Sequence, residues 1–230
     1  MPPKRVNKKS LVSISGSRSL YGSLFNRRKR WRRMGLKNVN RPFMYKYVVT
    51  KSNISIANSA QTAQGALEFK LTDLANYAEL TALYDEYCIS KVVVKLFPKF
   101  GALGQTNGGA GTYMQTTSAF KPTITVLDYD DSATPASRNE LLEYGSARMH
   151  NCSQIIKRVL TPKIAIQTYK TAVSSGYSAK GHQWIDCADN NIPHYGLKYQ
   201  VECDQTNGSG VPLYMYDVIC TYYVKFRGTR

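Results

Sequence analysis

The stretch Leu213-Tyr214-Met215-Tyr216-Asp217-Val218-Ile219-Cys220-Thr221-Tyr222-Tyr223-Val224-Lys225-Phe226-Arg227 decides the fold. Tyr214, Tyr216, Val218, Cys220, Tyr222, Val224 and Phe226 occupy every second position. Between them stand Met215, Asp217, Ile219, Thr221, Tyr223, Lys225 and Arg227. Successive side chains of a strand point to opposite faces, so a period of two over this length specifies one long β-strand with an apolar face and a mixed one. No helix accommodates that pattern.

Working outward, the rest of the chain reads the same way. Seventeen Tyr residues and many Val, Ile and Thr, separated by clusters of Gly, Asn, Ser and Pro, form the composition of a β protein. Strands are predicted over residues 43–51, 66–71, 87–97, 122–128, 148–160, 163–170, 183–187 and 194–204, with Pro98 ending the third and Asn207-Gly208-Ser209-Gly210 forming a turn before the last strand. Two short helices interrupt them. Leu74, Tyr77, Leu80, Leu83 and Tyr84 recur at helical spacing behind a cap at Thr72 or Asp73, and Ser137 with Glu140 makes a capping box for a turn ending at Gly145. Strands joined by long irregular connections, with no βαβ rhythm, predict an all-β fold. Its expected form is a single eight-stranded jelly-roll sandwich with one or two short helices in loops.

Charge divides the chain unequally. Residues 1–51 hold 15 of the 31 Lys and Arg, and the first acidic residue is Glu68, so the other 179 residues, with 16 basic and 15 acidic, are nearly neutral. We therefore read residues 1–41 as a basic, nucleic-acid-binding arm, disordered when alone, and residues 42–230 as the folded domain. The candidate contacts are Lys4, Arg5, Lys8, Lys9, Arg18, Arg27, Arg28, Lys29, Arg30, Trp31, Arg32, Arg33, Lys37 and Arg41. Such cations neutralise phosphates and release counterions, giving strong, salt-sensitive and sequence-independent binding. Trp31 either stacks on an unpaired base or packs beneath the body. Arg27, Arg28, Lys29, Arg30, Arg32 and Arg33 also fit a nuclear-import signal. Just ahead of them Leu20, Tyr21, Leu24 and Phe25 have roughly helical spacing, which suits an anchor under the body or a weak amphipathic surface helix.

Other functions find little footing. The apolar runs are too short for a secretory signal or a membrane span, so no stable membrane insertion is expected. Cys88, Cys152, Cys187, Cys203 and Cys220 are odd in number and widely spread, consistent with buried free thiols rather than a disulfide framework or a zinc site. The sequons at Asn53, Asn151 and Asn207 lack a secretory route. Residues 104–111 are glycine-rich but have no Gly-Lys-Ser/Thr ending, so they do not make a P-loop. His150, His182 and His194 have no ligand-pair spacing, and His150 with Cys152, on one predicted strand face, lacks a third group to hold the base. Asp128-Tyr129-Asp130-Asp131 is the one acidic cluster suited to a hard cation, without the glycine and terminal Glu of an EF-hand. No cofactor, no metal and no enzymatic activity are expected.

Three pieces resemble the capsid proteins of circovirus-like viruses with circular single-stranded DNA genomes. They are Tyr87-Cys88-Ile89-Ser90-Lys91-Val92-Val93-Val94-Lys95-Leu96-Phe97-Pro98, His194-Tyr195-Gly196-Leu197, and the ending from Tyr216-Asp217 through Tyr223-Val224-Lys225-Phe226-Arg227. Their order matches too, from basic arm to Tyr-rich last strand. The densest basic block sits at 27–33 rather than at the very start, and residues 101–146 carry no matching piece. The resemblance implies a jelly roll assembled as a homo-oligomer of sixty copies in a small icosahedral virion, with arms inward on the single-stranded DNA genome. It also implies a host nuclear-import receptor and a nuclear stage before assembly. Two alternatives share the arm chemistry: a non-capsid single-stranded nucleic-acid-binding or nuclear-shuttle protein, and an RNA-virus coat protein, since phosphate contacts do not sense the 2′-hydroxyl.

Overall fold

In the computed structural model, which describes residues 41–57, 60–99, 105–106, 114–115, 121–170, 175–203 and 213–229, strand β13 (Leu213–Thr229) lies in the middle of a sheet. β1 (Phe43–Ile56) pairs with it antiparallel on one side and β3 (Tyr84–Pro98) on the other. Its alternation is realised: Tyr216, Val218, Cys220, Tyr222, Val224 and Phe226 are each 0% exposed, and Asp217 to Arg227 at the alternate positions are half-buried. Met215 departs from the pattern and is also buried. The far side of β3 carries two short partners, β8 (Ile156–Leu160) near its end and β11 (Ile185–Asp186) near its start.

The second sheet is built on β12 (His194–Glu202), flanked on one side by β2 (Thr62–Phe69). On its other side are β6 (Thr123–Val126), which continues to β7 (Arg148–His150), and β9 (Lys163–Lys170), which continues to β10 (Ser175–Gly181). A separate hairpin joins β4 (Gln105–Thr106) to β5 (Met114–Gln115). The chain changes sheet at every step through β1, β2, β3, β6–β7, β8, β9–β10, β11, β12 and β13. Only two sheets packed face to face allow that path, and it gives the jelly-roll sandwich, with eleven strands in its two sheets where eight were expected. Pro42–Arg230 clusters as a unit of its own.

Tyrosine is the large core residue. Tyr87, Tyr216 and Tyr222 are fully buried, and each hydroxyl finds a partner, as burial of a polar tip requires. Tyr87 donates to the Asp189 carbonyl (3.0 Å), Tyr216 bonds Thr123 Oγ1 (2.8 Å) and the Cys152 carbonyl (3.0 Å), and Tyr222 donates to Asp73 Oδ2 (2.5 Å). Phe69 meets Tyr222 edge-on across the sandwich.

Local chemistry corrects three sequence expectations. Asp73 does not cap a long helix, because its carboxylate takes the Lys70 amide, the Lys51 ammonium and the Tyr222 hydroxyl. A 3₁₀ turn at Leu71–Asp73 results, and helix α1 starts only at Tyr77 and ends at Leu83. The stretch 148–160 is two strands rather than one. Asn151 Oδ1 accepts from the Ser153 amide and hydroxyl, turning the chain so that β7 joins one sheet and β8 the other. Cys152 therefore lies in the turn, not on a strand face with His150. The third correction is β10, a Gly- and Ser-containing edge strand that the pattern missed. The Ser137 cap is realised on helix α2 (Arg138–Glu143), with Ser137 Oγ accepting from the Glu140 amide (3.2 Å), while Glu140 reaches back to the Ala136 amide (2.7 Å).

The α2 region makes the sandwich asymmetric. Leu141 packs with Ile124 and Val126, closing a small second core over the outer face of the second sheet. Lys198, Gln200 and Glu202, on that same outer face, are buried beneath the cover. The outer face of the first sheet has no such cover among the described residues.

Candidate nucleic-acid interface

Of the fourteen expected arm contacts, Lys4, Arg5, Lys8, Lys9, Arg18, Arg27, Arg28, Lys29, Arg30, Trp31, Arg32, Arg33 and Lys37 lie outside the described residues, as do Leu20 to Phe25. Arg41 is described, exposed in extended chain immediately before β1. The arm thus runs covalently into an edge strand, since among the described residues β1 pairs with β13 alone.

The register fixes what this sheet presents outward. Facing residues in paired strands share a side, and the outward rows are Met44–Lys225, Lys46–Tyr223–Lys91, Val48–Thr221–Val93–Val159 and Thr50–Ile219–Lys95–Lys157. Of the acidic residues on this side, Glu86 pairs with Arg227 and Asp217 with Lys99 (2.9 Å), while Asp186, opposite Glu86 on β11, is exposed and accepts from the Ala188 amide. Lys46, Lys91, Lys95, Lys157 and Lys225 have no carboxylate partner among the described residues. Lys91 instead caps the Tyr223 ring, its Nζ 4.1 Å from the centroid. Beside Lys157, at the free edge of β8, a cavity of about 350 Å³ is lined by Ser146, Arg148 and Arg158 and by no acid.

The acidic cluster is not an open cation site. Lys198, buried on β12, puts its Nζ 2.8 Å from Asp128 Oδ2 and 2.7 Å from Asp131 Oδ1, so a protein ammonium occupies the place considered for a metal. Burial opposes both charges. For Asp128 the bonds from Lys198, the Asp130 amide and the Tyr144 hydroxyl outweigh it and hold the carboxyl below its ordinary pKa. For Lys198 the two carboxylates outweigh it and hold the ammonium protonated well above the ordinary range. Among the described residues no group of three or more His, Cys, Asp and Glu could hold a metal ion.

The remaining candidate chemistry is buried structure. His194 is 2% exposed, its Nδ1 on the Ile192 carbonyl (3.1 Å), and burial lowers its pKa to about 4. His150 Nε2 bonds Thr125 Oγ1 (2.9 Å), with its pKa depressed by burial and by Arg158 and Arg148. All five cysteines are buried outside any disulfide, and burial pushes the Cys88 and Cys152 thiols up and Cys220 to about 12, the reverse of an activated nucleophile. No helix among the described residues is long and apolar enough to cross a membrane.

Comparison with known proteins places the chain. In solved structures it is similar to the 60-mer BFDV capsid protein, with 20% identity over 83% of this chain and 96% of that one at a TM-score of 0.56. It is also similar to the decameric BFDV capsid protein, with 20% identity over 80% and 99% at 0.49, and to tobacco necrosis virus, with 12% identity over 83% and 97% at 0.46. No curated protein matches the sequence. The first likeness supports the jelly-roll fold, and the family model described as circovirus capsid protein matches residues 18–230, nearly the whole chain. The chain belongs to the circovirus capsid protein family.

Proposed function

We propose that the chain is a structural coat subunit, not an enzyme, that self-assembles into a sixty-copy icosahedral shell and packages a circular single-stranded DNA genome through residues 1–41. The observation that carries this reading is charge segregation in a capsid-family chain: residues 1–51 hold 15 basic residues and no acid, attached to a nearly neutral body. Lys4, Arg5, Lys8, Lys9, Arg18, Arg27, Arg28, Lys29, Arg30, Arg32, Arg33, Lys37 and Arg41 take phosphates, and Trp31 stacks on unpaired bases. Sixty such arms offset roughly 800 phosphates at one per cation. Arg27, Arg28, Lys29, Arg30, Arg32 and Arg33 serve a second time as the import signal read by a host receptor, which places subunits in the nucleus before they close a shell.

Size-exclusion chromatography and electron microscopy of the purified full chain, followed by nuclease treatment and extraction of the protected nucleic acid, test the reading. Closed particles holding DNase-sensitive, RNase-resistant material are expected. Persistent small oligomers under assembly-favouring salt would sink the shell, and extracted RNA would favour the RNA-coat alternative. Replacing the five Arg of residues 27–33 by Gln should flatten the salt dependence of oligonucleotide binding; an unchanged slope removes this block as a site.

A further inference from the structure

We propose that the cavity in the seam between the two sheets, beside β7 and β8, binds a small tetrahedral oxyanion of the inorganic phosphate or sulfate class, held by Arg158, Arg148 and Lys157. The site lies between the sheets rather than on a broad face, and it does not depend on the genome-packaging reading. Its centre is an arginine in a core position. Strand β8 alternates, with Ile156, Arg158 and Leu160 buried on one side, and Arg158 stands opposite Val94, itself 1% exposed. A guanidinium on a residue 4% exposed has given up its water, and a buried charge needs an opposite charge and acceptors for its N–H groups. Arg158 lacks both among the described residues. Its Nη2 donates to the carbonyl of Ser146, just ahead of β7 in the second sheet (2.9 Å), while Nη1 is shut off from solvent and meets no acceptor. No carboxylate among the described residues pairs with Arg158, Arg148 or Lys157.

The surroundings suit an anion. Arg148 and Lys157 line the same cavity of about 350 Å³ as Arg158, a volume at the lower end of small-ligand sites. Burial and then Arg148 lower the Arg158 pKa, and after burial both arginines lower that of His150, so the local field is positive and uncompensated. A dianion between the guanidiniums removes that penalty. The wall is also held in place, because Ser146 Oγ accepts from the Leu127 amide (3.0 Å) and donates to the Leu127 carbonyl (3.0 Å), which fixes the carbonyl that orients Arg158. Two ordinary explanations fall short. Charged residues protect free sheet edges from mispairing, which accounts for Arg148 on β7 and Lys157 on β8 but not for a guanidinium turned inward. Joining the two sheets through the Ser146 carbonyl uses one N–H, which a neutral donor would supply without a buried charge. A carboxylate from a second copy is not needed to form the site, since one chain supplies every wall of the cavity.

The test follows thermal unfolding of the dissociated full chain from 0.1 to 10 mM inorganic phosphate, and separately sulfate, with sodium chloride holding the ionic strength constant. An anion bound only by the folded chain raises the midpoint by about 3 to 5 °C for each tenfold increase beyond its Kd. R158M should lose this rise, and without phosphate its midpoint should equal or exceed that of the wild type, as when a buried charge gives way to an apolar side chain of similar size. If R158M misfolds, R148Q decides, since Arg148 is exposed; its response should need about tenfold more phosphate. The variant lacking the five Arg of residues 27–33 should respond as the wild type does, so the arm reading fails or survives on other data. A rise of the same size in R158M or at the same phosphate concentration in R148Q overturns the proposal. So does its loss in the arm variant, which would give the phosphate to residues 1–41. A flat midpoint in the dissociated wild type also overturns it, and leaves the arginines to a carboxylate of a second copy.

Discussion

Acid should weaken the unassembled subunit through one buried imidazole. His194 opens β12 opposite Phe69 of β2, with its ring 6.4 Å from that of Tyr87. Burial lowers its pKa from 6.5 to about 4 in the folded chain, a difference of about 2.5. The direction follows from proton counting. Between these values the unfolded chain holds the proton and the folded chain does not, so unfolding takes up a proton and folding stability falls as pH drops from about 6.5 to about 4. At 1.36 kcal/mol per pKa unit the loss totals about 3 kcal/mol, a sizeable part of the 5 to 15 kcal/mol typical of a domain. Urea unfolding of the dissociated protein at pH 7.5, 6.5, 5.5 and 4.5, followed by circular dichroism in moderate salt, measures it. Once below pH 6.5 the unfolding free energy should fall by about 1.4 kcal/mol per pH unit. The H194Q chain should start less stable but show a flatter profile. The residual slope belongs to His150, also held low by burial and two arginines, and H150Q removes it. A profile as steep in H194Q as in the wild type would refute the assignment, and a wild-type profile flat from pH 7 to 4.5 would refute the depressed pKa itself.

Two further outcomes check the packing. Lys198→Met strands Asp128 and Asp131 without their shared ammonium and should cost about 3 to 5 kcal/mol, whereas removing all three charges together should cost less; equal losses in the single and triple variants, by urea unfolding, would show that the charges act independently. Gly196→Ala puts a Cβ 2.5 Å from Leu160 Cδ1, a side chain itself only 3% exposed, so a loss of about 1 to 3 kcal/mol is expected, partly relieved by Leu160→Val; additivity of the two substitutions in thermal unfolding would refute that contact.

The parts of the fold that were legible in the sequence are those where one physical signal acts alone. β13 could be read because a strand with one buried face must alternate, and nothing else from Leu213 to Arg227 competes. The boundary at Tyr84 was not legible, because that residue satisfies the helical spacing of Tyr77 and Leu80 and also begins β3. The division of 148–160 between two sheets depends on an Asn151 turn whose consequence is purely tertiary. Buried Lys198 reads as an ordinary outward residue until its carboxylates arrive from a loop sixty-seven residues earlier in sequence. For the interface, the arm is visible in composition alone. The lysine face is half-visible: Lys91 and Lys95 share one face of a strand by count, as Lys225 does on β13, but their union with Lys46 and Lys157 needs the register between strands.

The central place of β13 has a consequence for how the subunit is made. β1 leaves the ribosome first among the described strands, yet its partner is the last, with Phe43 waiting for Phe226. Until then β1 and β3 have no common neighbour, and the first sheet cannot exist as a sheet. Such long-range pairing is slow and leaves sticky edges open to wrong partners. It also acts as an inspection: a chain broken anywhere before β13 lacks the one strand that joins β1 to β3 and cannot complete the first sheet.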